Sequence, residues 1–106
     1  MRQEVAVFDG YGESTRLEKK LTDWLLAEPR HVMSLQSTEA RIFIRWRAGN
    51  GFHRHAPVFF KVFNTLTNGS TPEQKFKEFF DEHPNASIVA ETCNEFFLIW
   101  LWADES

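Results

Sequence analysis

The residues best able to do chemistry are concentrated in residues 40–72, which hold five cationic side chains and no acidic one. They are Arg41, Arg45, Arg47, Arg54 and Lys61, joined by His53 and His55. In an extended chain alternate residues point the same way, so Arg41, Phe43, Arg45 and Arg47 share one side of a strand. Guanidinium groups arranged like this suit phosphates or carboxylates, which they bind in charge-assisted pairs. The bland alternative is a solvated sheet face whose arginines pair with glutamates from nearby helices.

The Phe52-His53-Arg54-His55 run puts two histidines at i and i+2, a strand spacing compatible with metal ligation or paired acid/base work. A third ligand would have to come from His31, Asp81 or His83, and nothing in the sequence enforces that. Anion binding beside Arg54 is the preferred role, and no metal or cofactor is expected. The loop Asp9-Gly10-Tyr11-Gly12-Glu13 enters a helix, where backbone N–H groups can hold an anion. It lacks a complete dinucleotide or phosphate-loop pattern, and Glu13 is negative where a phosphate would sit, so it reads as a plain turn. Cys93 could be a nucleophile, but a lone cysteine near a strand junction is more often a small buried hydrophobe.

Charge narrows the class. The whole chain carries −3, so with +5 in the middle the remainder carries −8. Nucleic-acid-binding domains are usually basic throughout, so general nucleic-acid binding is disfavoured. The acidic residues, several of them on the helices, could form a second interaction surface, although Lys19, Lys20, Lys75 and Lys77 interrupt it. One cysteine excludes an intramolecular disulfide and suits a reducing compartment. The longest apolar run, residues 96–103, is too short to span a bilayer. The expected location is cytoplasmic, away from membranes.

These groups need elements to position them. At 106 residues the chain suits one domain, residues 1–106, with no repeat or linker evident in the sequence. A short strand at residues 5–8 precedes a helix. Thr15 and Glu18 match a capping box, and Leu17, Leu21, Trp24 and Leu25 form its apolar stripe. Pro29 should end it near Ala27. Strands follow at residues 31–37 and 41–47. Gly49-Asn50-Gly51 then supplies a hairpin turn to a returning strand over residues 52–63, with Pro57 marking an edge or bulge. That hairpin would bring Arg54 or Lys61 beside the arginines. After an Asn68-Gly69 turn, Thr71-Pro72 opens a second helix with Phe76, Phe79 and Phe80 buried. Two strands close the chain, at residues 87–91 and 95–102.

The order β-α-β-β-β-α-β-β implies an α+β fold: one mostly antiparallel sheet of five to six strands, two helices on one face, and a ferredoxin-like topology. The last strand is apolar on both faces, so its second face calls for an interface or a curled sheet closing on itself. Eleven Phe and four Trp leave aromatics for a binding surface. The expected function is a non-enzymatic protein-binding module, an inhibitor or adaptor. At the level of class, small, acidic, motif-poor and aromatic-rich chains occur among the inhibitors that mobile elements encode against bacterial defence complexes. The expected binding residues are Arg41, Arg45, Arg47 and Arg54, with Phe43 and Trp102 as apolar anchors, and a homodimer through the sheet is entertained. The alternative is a binder of a small anionic ligand, such as a nucleotide or signalling phosphate, using the arginines, Lys61, His53 and His55. A third reading is an enzyme with His53 or His55 as acid/base.

Overall fold

A computed structural model describes residues 2–50, 52–53, 55–64 and 72–106. Gly51, Arg54, the Asn68-Gly69 turn and Thr71 lie outside the described residues. The elements are β1 (Gln3–Asp9), α1 (Ser14–Ala27), β2 (Arg30–Thr38), β3 (Arg41–Ala48), β4 (Phe52–His53), β5 (Ala56–Asn64), α2 (Pro72–Glu82), β6 (Ala86–Cys93) and β7 (Phe97–Asp104). The α+β class and the element order match expectation once the two-residue β4 is counted with β5.

The strands form two antiparallel sheets rather than one. Sheet 1 has the order β1-β3-β2, and sheet 2 has the order β4-β5-β7-β6. The expected hairpin of β3 with the strand that follows is therefore not formed. Both edges of β3 are taken, by β1 and β2, and the chain crosses to sheet 2. There β4 pairs with the start of β5 through Phe52–Pro57 and His53–Ala56.

The fold contains a repeat that the sequence conceals. The units β1-α1-β2-β3 and β5-α2-β6-β7 both place the third strand between the first and second. Their registers correspond: Arg30 opposes Ala48 and Ala86 opposes Asp104. Each second strand is bulged at the same place, between Val32 and Ser34 and between Ile88 and Ala90. Within each unit the parallel first and second strands flank a third, the split β-α-β arrangement.

Packing shows how both faces of β7 are satisfied. Leu17, Leu21 and Leu25 of α1 pack with Ile42 and Ile44 of sheet 1 and with Phe60, Val62, Phe97, Ile99 and Leu101 of sheet 2. Phe79 of α2 packs on the opposite face of sheet 2, against Phe63, Trp100 and Trp102. The helices thus cover opposite faces of sheet 2, not one common face, and α2 supplies the cover that β7 required. A fully buried side chain of this size contributes about 1.5–3 kcal/mol. Trp100 also donates its indole N–H to Glu91 Oε2 at 3.0 Å, so its polar atom is not stranded. Phe80, expected inside, is 40% exposed.

Local details depart from the sequence signals for identifiable reasons. α1 begins at Ser14 after Glu13, and no side chain caps it. Glu18 is engaged elsewhere: it accepts the backbone N–H of Val62 at 2.8 Å and lies 3.7 Å from Lys61 Nζ. A carboxylate that satisfies a sheet-edge donor leaves no capping box. The bulge in β2 brings Val32 and Leu35 to the core together and leaves Met33 exposed. α1 ends at Ala27, as Pro29 requires.

Candidate functional site

The period-two pattern of β3 survives intact. Ile42, Ile44 and Trp46 are buried, while Arg41, Arg45 and Arg47 are exposed and Phe43 is half-buried between them. In register with β3 on this outer face, β1 contributes Gln3, Val5, Val7 and Asp9. On the other flank, β2 contributes His31, Ser34, Gln36 and Thr38. Neither helix covers the face. Among the described residues, no ion pair or side-chain hydrogen bond engages Arg41, Arg45 or Arg47. The alternative of arginines paired with helical glutamates is not what is seen: Glu18 of α1, for example, engages Val62 and Lys61.

Successive same-face residues on a strand are about 7 Å apart, so Phe43 sits between two cations and Arg47 extends the row. Val5 and Val7, at 60% and 53% exposure, form an apolar flank that sequence reasoning missed. Their alternation in β1 was visible, but which face would be left bare depended on the tertiary arrangement. Val5, Ser34, Gln36, Phe43 and Arg45 line a shallow depression of about 230 Å³. Asp9 is the acidic residue on this face, opposite Arg41 in the register.

The other sequence candidates are not gathered here. Lys61 belongs to β5 and lies beside Glu18. Trp102 is 6% exposed and packs against Phe79, His83 and Phe59, so it is a core residue rather than a surface anchor. His53 ends β4, and His55 follows in a turn with φ of 69°. His53 is paired with Ala56 and His55 lies outside any strand, so they do not share a strand face as their spacing implied. Among the described residues, no three metal-ligating side chains gather. Cys93 is exposed and free, contrary to the expectation that it is buried.

The loop before α1 has a structural task. Gly10 is buried, and its carbonyl accepts from Asn94 Nδ2 at 2.8 Å. A Cβ there would lie 2.7 Å from that nitrogen and 3.1 Å from Ile42 Cδ1, which explains the glycine. A separate apolar cleft of about 490 Å³ lies between the end of α1 and β5, lined by Leu25, Leu26, Pro57, Val58 and Phe59. The cation at that cleft, Arg30, is already paired with Glu28 at 3.2 Å. Among the described residues, two titratable groups show a pKa shift, both away from the arginine face. An Asp81 hydrogen bond holds Lys77 above its ordinary value, and hydrogen bonds from Ser106 hold the Asp104 carboxyl below its own.

Compared with known proteins, the chain matches no family model, no curated protein and no solved structure. No helix among the described residues is long and apolar enough to cross a membrane.

Proposed function

We propose that this chain is a non-catalytic protein-binding module, an inhibitor or adaptor, that engages an acidic partner through the outer face of sheet 1. The observation that carries this reading is the row Arg41, Arg45 and Arg47, exposed around Phe43 and free of ion pairs among the described residues. Arginine and aromatic side chains dominate interface energies, and a bare basic face steers an acidic partner toward it. The exposed Cys93 thiol suits a reducing, cytoplasmic setting.

The test compares capture from the native host by the parent and by an Arg45→Glu/Arg47→Glu variant. The expected result is loss of a specific partner while the variant keeps its melting transition. Capture unchanged by the double reversal removes the arginine face from the binding role.

A second reading, a site for a small anion such as a nucleotide or signalling phosphate, draws on the depression beside Arg45. At about 230 Å³ it falls below the roughly 300–1,000 Å³ usual for ligand pockets, which favours the protein partner. A nucleotide that raises the melting temperature of the parent but not of Arg45→Gln would reverse that order, since ligands stabilise the state they bind.

A further inference from the structure

The sheets have four long outer strands, and three are guarded. β2 and β6 are each bulged, and they lie beside one another, joined by a 2.8 Å hydrogen bond between Ser37 and Thr92. β5 is paired with β4 at its start, and farther along its Val62 N–H is taken by Glu18. β1 has none of these devices. It runs seven residues in unbroken register with β3 and contains no proline and no lysine. Among the described residues, nothing pairs with its outer edge. Natural sheets blunt such edges because unpaired peptide groups are a template for another strand.

The direction of those groups follows from the ladder. Gly10 N–H donates to Ala40 at 2.8 Å, continuing the pairing that sets Asp9 opposite Arg41. In an antiparallel ladder alternate residues turn both peptide groups to the same neighbour. Glu4, Ala6 and Phe8 therefore face β3, and Gln3, Val5, Val7 and Asp9 direct their N–H and C=O groups outward. Val5 and Val7 are also the exposed apolar side chains of this strand.

From this geometry we infer that β1 pairs antiparallel with β1 of a second copy, joining two sheets 1 across a two-fold axis. Full overlap centres the axis on Ala6 and sets Val5 opposite Val7 of the second copy, and Gln3 opposite its Asp9. These are the outward-facing residues, so the hydrogen-bond parity is met. The inward pairs are Ala6 with Ala6 and Glu4 with Phe8. No like charges stand directly opposite, which makes the strand complementary to itself, as a two-fold interface requires. The two β3 rows end up three strand spacings apart, about 14 Å, beyond the screening length of about 10 Å in ordinary salt, so the arginines do not oppose the pairing. This inference does not depend on the proposed acidic partner, although the dimer would carry the basic face in duplicate.

Sedimentation equilibrium of the full chain from about 1 μM to about 1 mM, the range in which small interfaces associate, tests it. The mass should rise from 12.5 kDa toward twice that value. Val5→Lys and Val7→Lys should each remain monomeric where the parent is dimeric, with the fold checked by circular dichroism. In a Cys93→Ser background, mixing Val5→Cys with Val7→Cys should give a mixed disulfide in excess of either homodisulfide. Opposed hydrogen-bonded residues have Cα atoms about 5.5 Å apart, within disulfide reach. A monomer throughout, a dimer that persists in both lysine variants, or no preference for the mixed disulfide would each overturn the inference.

Discussion

Asn94 donates its side-chain amide to the carbonyl of Gly10 at 2.8 Å, tying the β6–β7 turn to the end of β1. The same side chain accepts the N–H groups of Phe96 and Phe97, each at 2.8 Å. One residue therefore shapes the last hairpin and fastens it to the opposite repeat. Asn94→Ala strands these groups and should cost about 1–3 kcal/mol in urea unfolding.

Gly10→Ala should be destabilising by about 1–3 kcal/mol, because its Cβ meets Asn94 and Ile42. Combining it with Asn94→Ala removes the nearer obstruction, so the double variant should lose less than the two single losses added. Strict additivity in a denaturant-based double-mutant cycle would refute this coupling.

Arg30 is wedged between two indoles, its guanidinium carbon 4.5 Å from the Trp24 ring centre and 4.8 Å from that of Trp46. It also donates to the Trp24 carbonyl and pairs with Glu28. Lysine cannot reproduce a planar group stacked on two rings. Arg30→Lys should therefore lose about 1–2 kcal/mol and alter tryptophan emission. A neutral result on both readouts would show that the stack contributes little.

Phe79 is the buried contact of α2, touching Phe63, Trp100 and Trp102. Phe79→Ala should cost about 3–5 kcal/mol, with α2 loosened from sheet 2. Hydrogen exchange should then show protection lost in residues 72–82 before residues 14–27. Equal loss in both helices would mean that the two faces of sheet 2 unfold as one unit.

Arg45→Glu/Arg47→Glu should leave stability within about 1 kcal/mol of the parent, since each exposed, unpaired side chain contributes about 0.5 kcal/mol or less. A thermal melt checks this separately from any binding assay. A large loss would assign these arginines to the fold.

The local signals in the sequence were reliable where a single strand or helix determined them. Alternation put Arg41, Arg45 and Arg47 on one side of β3, the side left exposed, and the leucine stripe marked α1. What failed were inferences about which strands and side chains pair within the fold. Gly49-Asn50-Gly51 has turn chemistry, but a turn does not specify which strands pair, and β1 and β2 claimed both edges of β3. Thr15 and Glu18 match a capping pattern, yet the Val62 N–H is a distant competitor for Glu18. The repeat was hidden because equivalent positions in β3 and β7 face different surroundings. Arg41, Phe43, Arg45 and Arg47 correspond to Phe97, Ile99, Leu101 and Ala103, one set facing solvent and the other facing α1. Trp102 looked like an anchor because no local rule reveals that α2 lies over it.

The repeat also bears on the order in which the molecule assembles. Within each unit the second and third strands are neighbours in sequence and pair locally, whereas the first strand finds the third only across the helix and the second strand. The apolar stripe of α1 depends on both units, because Phe60, Val62, Phe97, Ile99 and Leu101 of sheet 2 pack in the same cluster as its leucines. A ribosome-bound chain ending near Ala48 would display Leu17, Leu21 and Leu25 with Phe60, Val62 and Ile99 still to come. The first unit alone leaves part of that stripe uncovered until sheet 2 packs on it. The exposed arginines on the far side of sheet 1 give that unit one charged face and one apolar face, and surface charge of this kind opposes aggregation.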